Sequence, residues 1–331
     1  MSGRREPLLA IQRFTHHCSA FSIFHLPSSI YYPLRVQFQK ITIIGVGLLG
    51  GSIGLAAQRR KLVARGGVAG FVRRPASLKD CEKMGAVDFA TTDLQAAVWG
   101  ADLVILCTPL AQMQRRVREM LPALKRGAVV TDVGSVKVGV VHELEPLVAE
   151  AGACFVGSHP MAGAERTGVG AASAGLFVNA ICVVTPTARS NPSAVYQVER
   201  FWRTLGARTL QLPPEEHDLL VSRSSHLPHV LAATLAGYVL KPRRPKFQAA
   251  LCANGFRDTT RIASGSPEMW RDIALANRKN LGRSLREFVA EAGKFQRALA
   301  KADAKAIINF FEAAKIRRDQ WRAQCASPSP E

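Results

Sequence analysis

The sequence lacks paired cysteines and long apolar runs, and it is poor in acidic residues. Its 7 cysteines are odd in number and scattered, with no C-x-x-C pair. This distribution argues against a disulfide framework and a zinc site, so we predict no metal and a reducing compartment, the cytoplasm. No apolar stretch approaches the roughly 18–20 residues that cross a bilayer, so we expect no membrane association.

The shortage of acids leaves the chain strongly basic, with 44 Lys and Arg against 25 Asp and Glu and a net charge of +19. The basic residues are spread along the chain, apart from Arg73-Arg74 and the Pro-punctuated segment 241–246. Such a spread is more typical of a solvated basic surface or an anionic ligand than of a nucleic-acid partner. We therefore predict a small anionic substrate and no nucleic acid.

Residues 1–39 differ in composition from the rest of the chain. They contain several Arg, Ser and His residues but a single acid, Glu6. An organelle transit peptide has this composition. We favour the alternatives, a disordered extension or a start codon assigned too early, and exclude the segment from the fold.

Between residues 40 and 212, short apolar runs alternate with helical segments. Such alternation predicts an α/β, Rossmann-like, doubly wound parallel sheet. The predicted strands are 40–44, 67–72, 101–107, 128–132, 153–157 and 180–185, and the predicted helices are 48–60 and 110–121.

After Leu212-Pro213-Pro214 the strand patterns stop, so we place a domain boundary there. Long helices are predicted at 215–240, 267–300 and 303–324, and Ser266 before Pro267 is typical of a helix N-cap. Residues 213–325 are thus predicted to form an all-helical substrate and dimerisation domain. Helices this long in a small domain often bury an apolar face against a second copy, which indicates a homodimer.

The segment following the first predicted strand has the form G-x-G-x-x-G, with Gly45, Gly47 and Gly50. A strand before and a helix after this motif predict a dinucleotide site, in which the helix amino terminus faces the phosphates. We assign Leu48 to it as well. Thr108 and Pro109, which follow the predicted strand 101–107, are also assigned to the cofactor site.

The end of the second predicted strand distinguishes NAD from NADP. An acid there would bind the ribose 2′-hydroxyl, but the strand is followed by Arg73 and Arg74. Two guanidinium groups suit a 2′-phosphate, so we predict NADP as the preferred cofactor. The alternative is that one arginine stacks on the adenine and that NAD is also used.

Two polar motifs lie where the next strands are predicted to end. Asp132-Val133-Gly134-Ser135-Val136-Lys137 follows one strand, and Gly157-Ser158-His159-Pro160 follows the next. Ligands bind at the carboxyl edge of such sheets, so Ser135 and His159 are candidate catalytic residues.

Five motifs together resemble the prephenate/arogenate dehydrogenase family of tyrosine biosynthesis, over about residues 40–320. They are G-x-G-L-x-G-G-S, D-x-x-S-V-K, G-S-H-P-M-A-G, S-H-L-P-H, and G-F-R-D-x-T-R-I-A followed by M-W-R-D-I. The resemblance implies oxidative decarboxylation of a cyclohexadienyl acid, with prephenate giving 4-hydroxyphenylpyruvate and CO2. It also implies that His159 accepts the hydroxyl proton and that Ser135 aligns that hydroxyl.

The resemblance further implies that Arg261 pairs with the substrate side-chain carboxylate and that His226 positions the substrate. The alternative for Arg261 is that it forms a salt bridge with Asp258 and does not bind the substrate. Trp270 resembles an aromatic residue of the substrate pocket, and the alternative is that it lies in the core of the dimer. His229 has a structural role as its alternative to a role in the substrate site. Glu165 could face the substrate side chain and accept the amino group of arogenate, so prephenate and arogenate both stay open.

Compared with regulated members of the family, we expect no appended regulatory domain after residue 325 and no fused mutase before residue 40. The sequence fits two other functions less well. A generic β-hydroxyacid dehydrogenase would use a lysine in the helical domain, for which no comparable motif is present. A non-catalytic NADP sensor would have no need of His159, Ser135 and Arg261 together.

Overall fold

The structure, a computed structural model, describes residues 37–164, 167–241 and 247–326. Predictions that concern residues 1–36, Glu165, residues 242–246 and the tail 327–331 therefore lie outside the described residues. The strands are β1 (Ile41–Ile44), β2 (Val68–Phe71), β3 (Phe89–Thr91), β4 (Leu103–Leu106), β5 (Val129–Asp132), β6 (Cys154–Pro160), β7 (Ile181–Thr185) and β8 (Arg208–Gln211). The helices are α1 (Leu48–Arg59), α2 (Leu78–Lys83), α3 (Leu94–Val98), α4 (Leu110–Met120), α5 (Val138–Glu150), α6 (Pro192–Thr204), α7 (Pro214–Val221), α8 (Leu227–Val239), α9 (Asn254–Thr260), α10 (Pro267–Ala276), α11 (Arg278–Ala300) and α12 (Ala304–Ala326).

The strands form one sheet in the order β3-β2-β1-β4-β5-β6-β7-β8. The order reverses between β1 and β4, and ligands of such sheets bind in the crevice outside the carboxyl ends of strands at this point. The predicted Rossmann-like sheet is confirmed, with one correction: β6 and β7 pair antiparallel, while the other neighbours pair parallel. The described residues of the connection 161–180 contain a 3-10 turn (Val169–Ala171) but no α-helix, whereas parallel neighbours are usually joined by a crossover helix.

Helices cover the sheet on both faces, which explains why its central strands are continuous apolar runs. Ile43 belongs to the apolar cluster on one face and Ile44 to the cluster on the other, and both are fully buried. Successive strand residues point to opposite faces, so the strands β1, β2, β4, β5 and β6 each contribute to both clusters.

Several elements of the sheet-containing part have no counterpart in the sequence prediction, namely β3, β8, α2, α3, α5 and α6. The edge strand β8 was missed because its residues are largely exposed and form no apolar run. The strand predicted at 153–157 continues to Pro160, because the second half of β6 pairs with β7 and places His159 opposite Val183. His159 therefore lies inside a strand rather than after one.

Two of the long predicted helices are interrupted. The helix predicted at 215–240 consists of α7, a π-helical turn (Ser222–His226) and α8. The helix predicted at 267–300 breaks at Asn277, whose buried side chain bonds to another segment, and becomes α10 and α11. Ser266 caps α10 as predicted, since its side chain accepts a hydrogen bond from the backbone N–H of Met269.

The predicted boundary at 212 falls between β8 and α7. The described residues from 37 to 312 belong to one compact unit, and the end of α12 from Ala313 belongs to another. In that second unit, the Arg318 guanidinium lies 4.5 Å from the centre of the Trp321 ring. Within the described ranges, no helix combines the length and apolarity needed to span a membrane.

Candidate active site

The glycine-rich turn after β1 leaves an open space beside the amino terminus of α1. Gly45 has φ +100°, and a Cβ there would lie 3.0 Å from the carbonyl oxygen of Cys107. A Cβ on Gly50 would lie 2.2 Å from the carbonyl oxygen of Gly45, whereas a Cβ on Gly47 would meet nothing within 4 Å. Gly45 and Gly50 are therefore required by packing, and Gly47 leaves room for a ligand to approach the backbone.

The loop between β4 and α4 faces this turn. The Thr108 methyl carbon lies 3.3 Å from the position of a Cβ on Gly45, and the Thr108 hydroxyl is buried with no hydrogen-bond partner among the described residues. Leu48 begins α1, which has no side-chain cap at its N-terminus, and Pro109 immediately precedes α4. Uncapped backbone N–H groups, an open glycine and an unpaired hydroxyl fit a dinucleotide.

Arg73 and Arg74 follow β2 and are both exposed. Arg74 is the residue that precedes a short 3-10 turn (Pro75–Ser77). Both guanidinium groups are therefore available at the end of β2, where a dinucleotide ribose binds in this class of sheet.

His159 is buried at the carboxyl edge of the sheet. Its Nδ1 lies 2.9 Å from Nε2 of His217, whose own Nδ1 lies 2.8 Å from Oδ1 of Asp218. Burial holds the pKa of His159 well below its ordinary value, and the neighbouring His217, Lys137 and His226 act in the same direction. His159 is therefore a neutral imidazole at neutral pH, the form that can accept a proton.

The carboxylate of Asp218 contacts the first turn of α5. It accepts hydrogen bonds from the backbone N–H of Lys137 at 2.7 Å and of Val138 at 3.0 Å. The amino terminus of a helix stabilises negative charge, and these two N–H groups belong to it. Asp218 on α7 is thereby attached to the segment that carries Ser135.

A buried ion pair supports the floor of the site. The Lys137 ammonium, which is fully buried, donates to Oδ2 of Asp132 and to the carbonyl oxygen of Ser158 at 2.9 Å. Asp132 also accepts from the backbone N–H of Ser158 at 3.1 Å. These contacts tie the end of β5 to β6, so they set the spacing between Ser135 and His159.

His226 lies in the π-helical turn and is fully buried. The side-chain amide of Asn277 donates to its Nδ1 at 3.2 Å, so a neutral His226 carries its proton on Nε2, which is buried without a well-oriented partner in the described part of the chain. Burial lowers the pKa of His226 to about 4, although Asp218 and the backbone of Ser135 act in the opposite direction. His226 is thus a neutral hydrogen-bond donor beside Ser135.

Trp270 and His229 extend the site toward the surface. Their rings are stacked with centroids 3.7 Å apart. The rings of His226 and Trp270 meet edge to face, with centroids 6.2 Å apart. Nδ1 of His229 donates to the carbonyl oxygen of Ser225 at 2.9 Å, while Nε1 of Trp270 is buried without a partner among the described residues. Burial is the main cause of the lowered pKa of His229, and the charge of the exposed Arg261 contributes.

The structure therefore brings most of the predicted residues into one site. His226 lies near His159, the backbone of Ser135 and the ring of Trp270. Arg261 is exposed and near enough to His229 to lower the pKa of that ring, and Glu165 lies outside the described residues. Sequence reasoning missed several buried polar groups that hold them, namely His217, Asp218, Lys137 and Asn277. A sequence signal existed for Lys137, because it is the last residue of the D-x-x-S-V-K motif.

Comparison with known proteins agrees with this geometry. Residues 55–211 match the family model described as prephenate dehydrogenase, nucleotide-binding domain, and residues 213–313 match prephenate dehydrogenase, dimerization domain. The chain belongs to the prephenate dehydrogenase family. It is an oxidoreductase of that family, as its curated relatives are.

The relatives cover most of the chain. It is 35% identical to cyclohexadienyl dehydrogenase of Zymomonas mobilis, over 83% of this chain and 93% of that protein. It is 34% identical to prephenate dehydrogenase of Bacillus subtilis, over 84% of this chain and 75% of that protein. Among solved structures, prephenate dehydrogenase from A. aeolicus in complex with hydroxyphenyl propionate and NAD+ has a TM-score of 0.78 at 29% identity, covering 85% of this chain and 98% of that one.

Proposed function

We propose that this chain is a prephenate dehydrogenase, which converts prephenate to 4-hydroxyphenylpyruvate and CO2 with an NAD(P)+ cofactor. The observation that carries the proposal is a neutral, buried His159 at the edge of the sheet where the glycine turn leaves room for a dinucleotide. The similarity to enzymes named prephenate and cyclohexadienyl dehydrogenase supports the substrate class.

The nicotinamide, when bound, accepts the hydride from the ring carbon that bears the substrate hydroxyl. His159 accepts the proton of that hydroxyl at the same centre, and Ser135 holds the hydroxyl in line. When the carboxylate leaves the ring as CO2, its electron pair aromatises the ring and the negative charge passes to the ring oxygen. The proton held by His159 would then return to that oxygen, so the protein needs no further acid or base for that step.

The substrate is a dianion, and the site offers a cation and a neutral donor to hold it. Arg261 on the rim suits one carboxylate as a bidentate partner. Nε2 of His226 is a buried donor whose neighbouring acceptor, the backbone of Ser135, is poorly oriented, and an unsatisfied buried donor costs about 1–3 kcal/mol. A substrate carboxylate or hydroxyl would remove that cost.

NADP is the cofactor that we propose the chain prefers. Arg73 and Arg74 are exposed at the end of β2, and no acid precedes Asp80 there. Two guanidinium groups suit a 2′-phosphate, whereas NAD recognition uses an acid at this position.

Arogenate is a second candidate substrate, and the sequence feature that favours it is Glu165. This acid follows the His159 motif by a few residues, where it would attract the amino group that arogenate carries.

The active form that we propose is a homodimer assembled through the helices after residue 213. The matching family model describes this part as a dimerization domain. Apolar side chains are exposed along three of its helices, including Leu275 on α10, Val289 on α11 and Phe311 on α12. Burial of such side chains against a second copy would remove them from water.

A steady-state assay of the purified chain tests the proposal, with prephenate and arogenate each paired with NAD+ and NADP+ and reduction of the nicotinamide followed by absorbance. Turnover of prephenate with a preference for NADP+ is the expected result. In the double variant Arg73→Ala and Arg74→Ala, KM for NADP+ should rise while KM for NAD+ stays unchanged. A folded, NADP-binding chain that turns over none of the four pairs would overturn the proposal.

A further inference from the structure

Three side chains form a buried hydrogen-bonded row that joins the sheet to the first helix of the C-terminal part. His159 contributes from β6, and His217 and Asp218 contribute from α7. His217 is fully buried, and Asp218 is 2% exposed. We propose that His217 and Asp218 hold His159 with its proton on Nδ1 and its lone pair on Nε2, facing the substrate, and stabilise the charge that this ring gains on accepting the hydroxyl proton. This inference rests on the proposed function.

The direction of the hydrogen bonds is set at the Asp218 end of the row. The carboxylate accepts from two backbone N–H groups at the start of α5, and an ionised carboxylate can only accept. Nδ1 of His217 must therefore be the donor in its 2.8 Å contact with Oδ1 of Asp218. The carboxylate is already compensated by the amino terminus of α5, so no second charge on His217 is required.

A neutral His217 with its proton on Nδ1 has a lone pair on Nε2. That atom lies 2.9 Å from Nδ1 of His159, so Nδ1 of His159 is the donor and carries the proton. The remaining nitrogen of His159, Nε2, then has the lone pair and bonds to no other described residue. An imidazole without such neighbours would exchange between two tautomers, of which only one is a base toward the substrate.

The row also offsets a conflict within the site. The burial and positive neighbours that keep His159 neutral also oppose the imidazolium that forms when it accepts a proton. In the proposed step, the substrate O–H bond breaks, an N–H bond forms at Nε2 of His159, and the hydride with its electron pair passes to the nicotinamide. The imidazolium of His159 keeps its hydrogen bond from Nδ1 to His217, and His217 keeps its hydrogen bond to Asp218. The negative carboxylate of Asp218 therefore stabilises the new positive charge, with the ring of His217 between them.

The tautomer can be measured on the wild-type protein without any substrate. Nitrogen-15 NMR of the histidine rings in the full chain distinguishes a protonated from an unprotonated ring nitrogen, and His159→Asn and His217→Phe assign the two signals by their loss. Both rings are expected to carry the proton on Nδ1 at neutral pH. A proton on Nε2 of His159 would overturn the proposal.

The effect on turnover is measured in His217→Phe, which keeps a ring in the buried position but removes both hydrogen bonds. We expect kcat to fall by about 10²-fold, within the range that a positioned general base supplies, with little change in KM. Cofactor binding should be unchanged. His142→Gln, on the exposed side of α5, is the matched control and should match the wild type.

Asp218→Asn is the second variant, because it removes the negative charge and leaves a side chain of the same size. It should lower kcat in the same sense and change the tautomer signal of His159. Either variant, if folded and binding cofactor with an unchanged kcat, would contradict the role of the row. If the wild type does not turn over prephenate, the proposed function fails, whereas the NMR result on the row stands by itself.

Discussion

His159 lies on a strand of the sheet, whereas His226 lies on a π-helical turn of the helical part, and their neighbours have opposite hydrogen-bonding character. His159 contacts a histidine nitrogen that leads to a carboxylate, while His226 contacts the amide donor of Asn277. The first arrangement leaves one ring nitrogen with a lone pair, and the second leaves one ring nitrogen with an N–H. In the function that we propose, two histidines would thus supply the base and the hydrogen-bond donor of one site.

Removal of the base should produce the largest effect. In His159→Asn, kcat should fall by about 10²–10⁴-fold, because an amide cannot accept the hydroxyl proton. Binding of NADP+, measured by titration, should be unchanged, because the glycine turn lies on a different strand end. A variant that keeps most of its turnover would show that the base lies elsewhere.

Removal of the donor should affect binding more than chemistry. In His226→Phe, KM for the substrate should rise roughly 10-fold or more, since a hydrogen bond to a charged group contributes about 1.5–3 kcal/mol. The fall in kcat should be smaller than that in His159→Asn. If kcat falls equally in both variants with KM unchanged, the two histidines do not differ in the way described above.

Asn277→Leu tests whether the amide sets the role of His226. The substitution removes the donor to Nδ1 of His226 and the hydrogen bond to the carbonyl oxygen of Asp218 at 2.7 Å. We expect a loss of about 1–3 kcal/mol in the free energy of unfolding and a rise of a few-fold in KM. Denaturant unfolding and initial-rate kinetics measure the two effects. Asn280→Leu, in which the side chain that donates to Asn277 is removed instead, is the matched control and should have a milder effect on KM.

Acid should weaken the folded state through His226. Its pKa is about 4 in the folded chain against 6.5 for the free side chain, so the unfolded state binds more protons between these values. The contribution to the free energy of unfolding is full above pH 6.5 and is lost as the pH falls toward 4. Unfolding midpoints measured across this range should fall less steeply in His226→Phe than in the wild type.

The pH dependence of kcat is expected to follow the pKa of His159. Since its pKa lies well below 6.5, kcat should stay constant as the pH falls through 6.5 and should decline only at lower pH. A decline centred at 6.5 would indicate that the ring is not buried in the working enzyme.

The cofactor side of the site was predictable from the sequence because its determinants are local. The glycine spacing, the strand before it and the helix after it lie within twenty residues, and Gly45 and Gly50 meet the close approaches that the motif implies. The first half of the strand that carries His159 was predictable for the same reason, since it is a local apolar run, whereas its extension through His159 depends on pairing with β7.

The supporting residues could not be found in this way. His159 and His217 are 58 positions apart, and Asn277 and His226 are 51 positions apart, so their contacts depend on how α7 and α10 pack against the sheet. The π-helical turn at 222–226 did have a local signal, because Pro228 lacks a backbone N–H and disturbs the helical hydrogen bonds of the preceding turn. The break at Asn277, by contrast, coincides with a tertiary hydrogen bond from its side chain to the carbonyl oxygen of Asp218.

The hydrogen bonds between the Asp218 carboxylate and the start of α5 affect how the substrate reaches the site and how the product leaves it. If the helical part swung away from the sheet, it would uncover a carboxylate and break two hydrogen bonds to backbone N–H groups. It would also separate the two histidines that meet at 2.9 Å. We therefore expect turnover to proceed without a hinge opening between the sheet and α7, so that substrate arrival and product departure depend on the rim near Arg261 and Trp270.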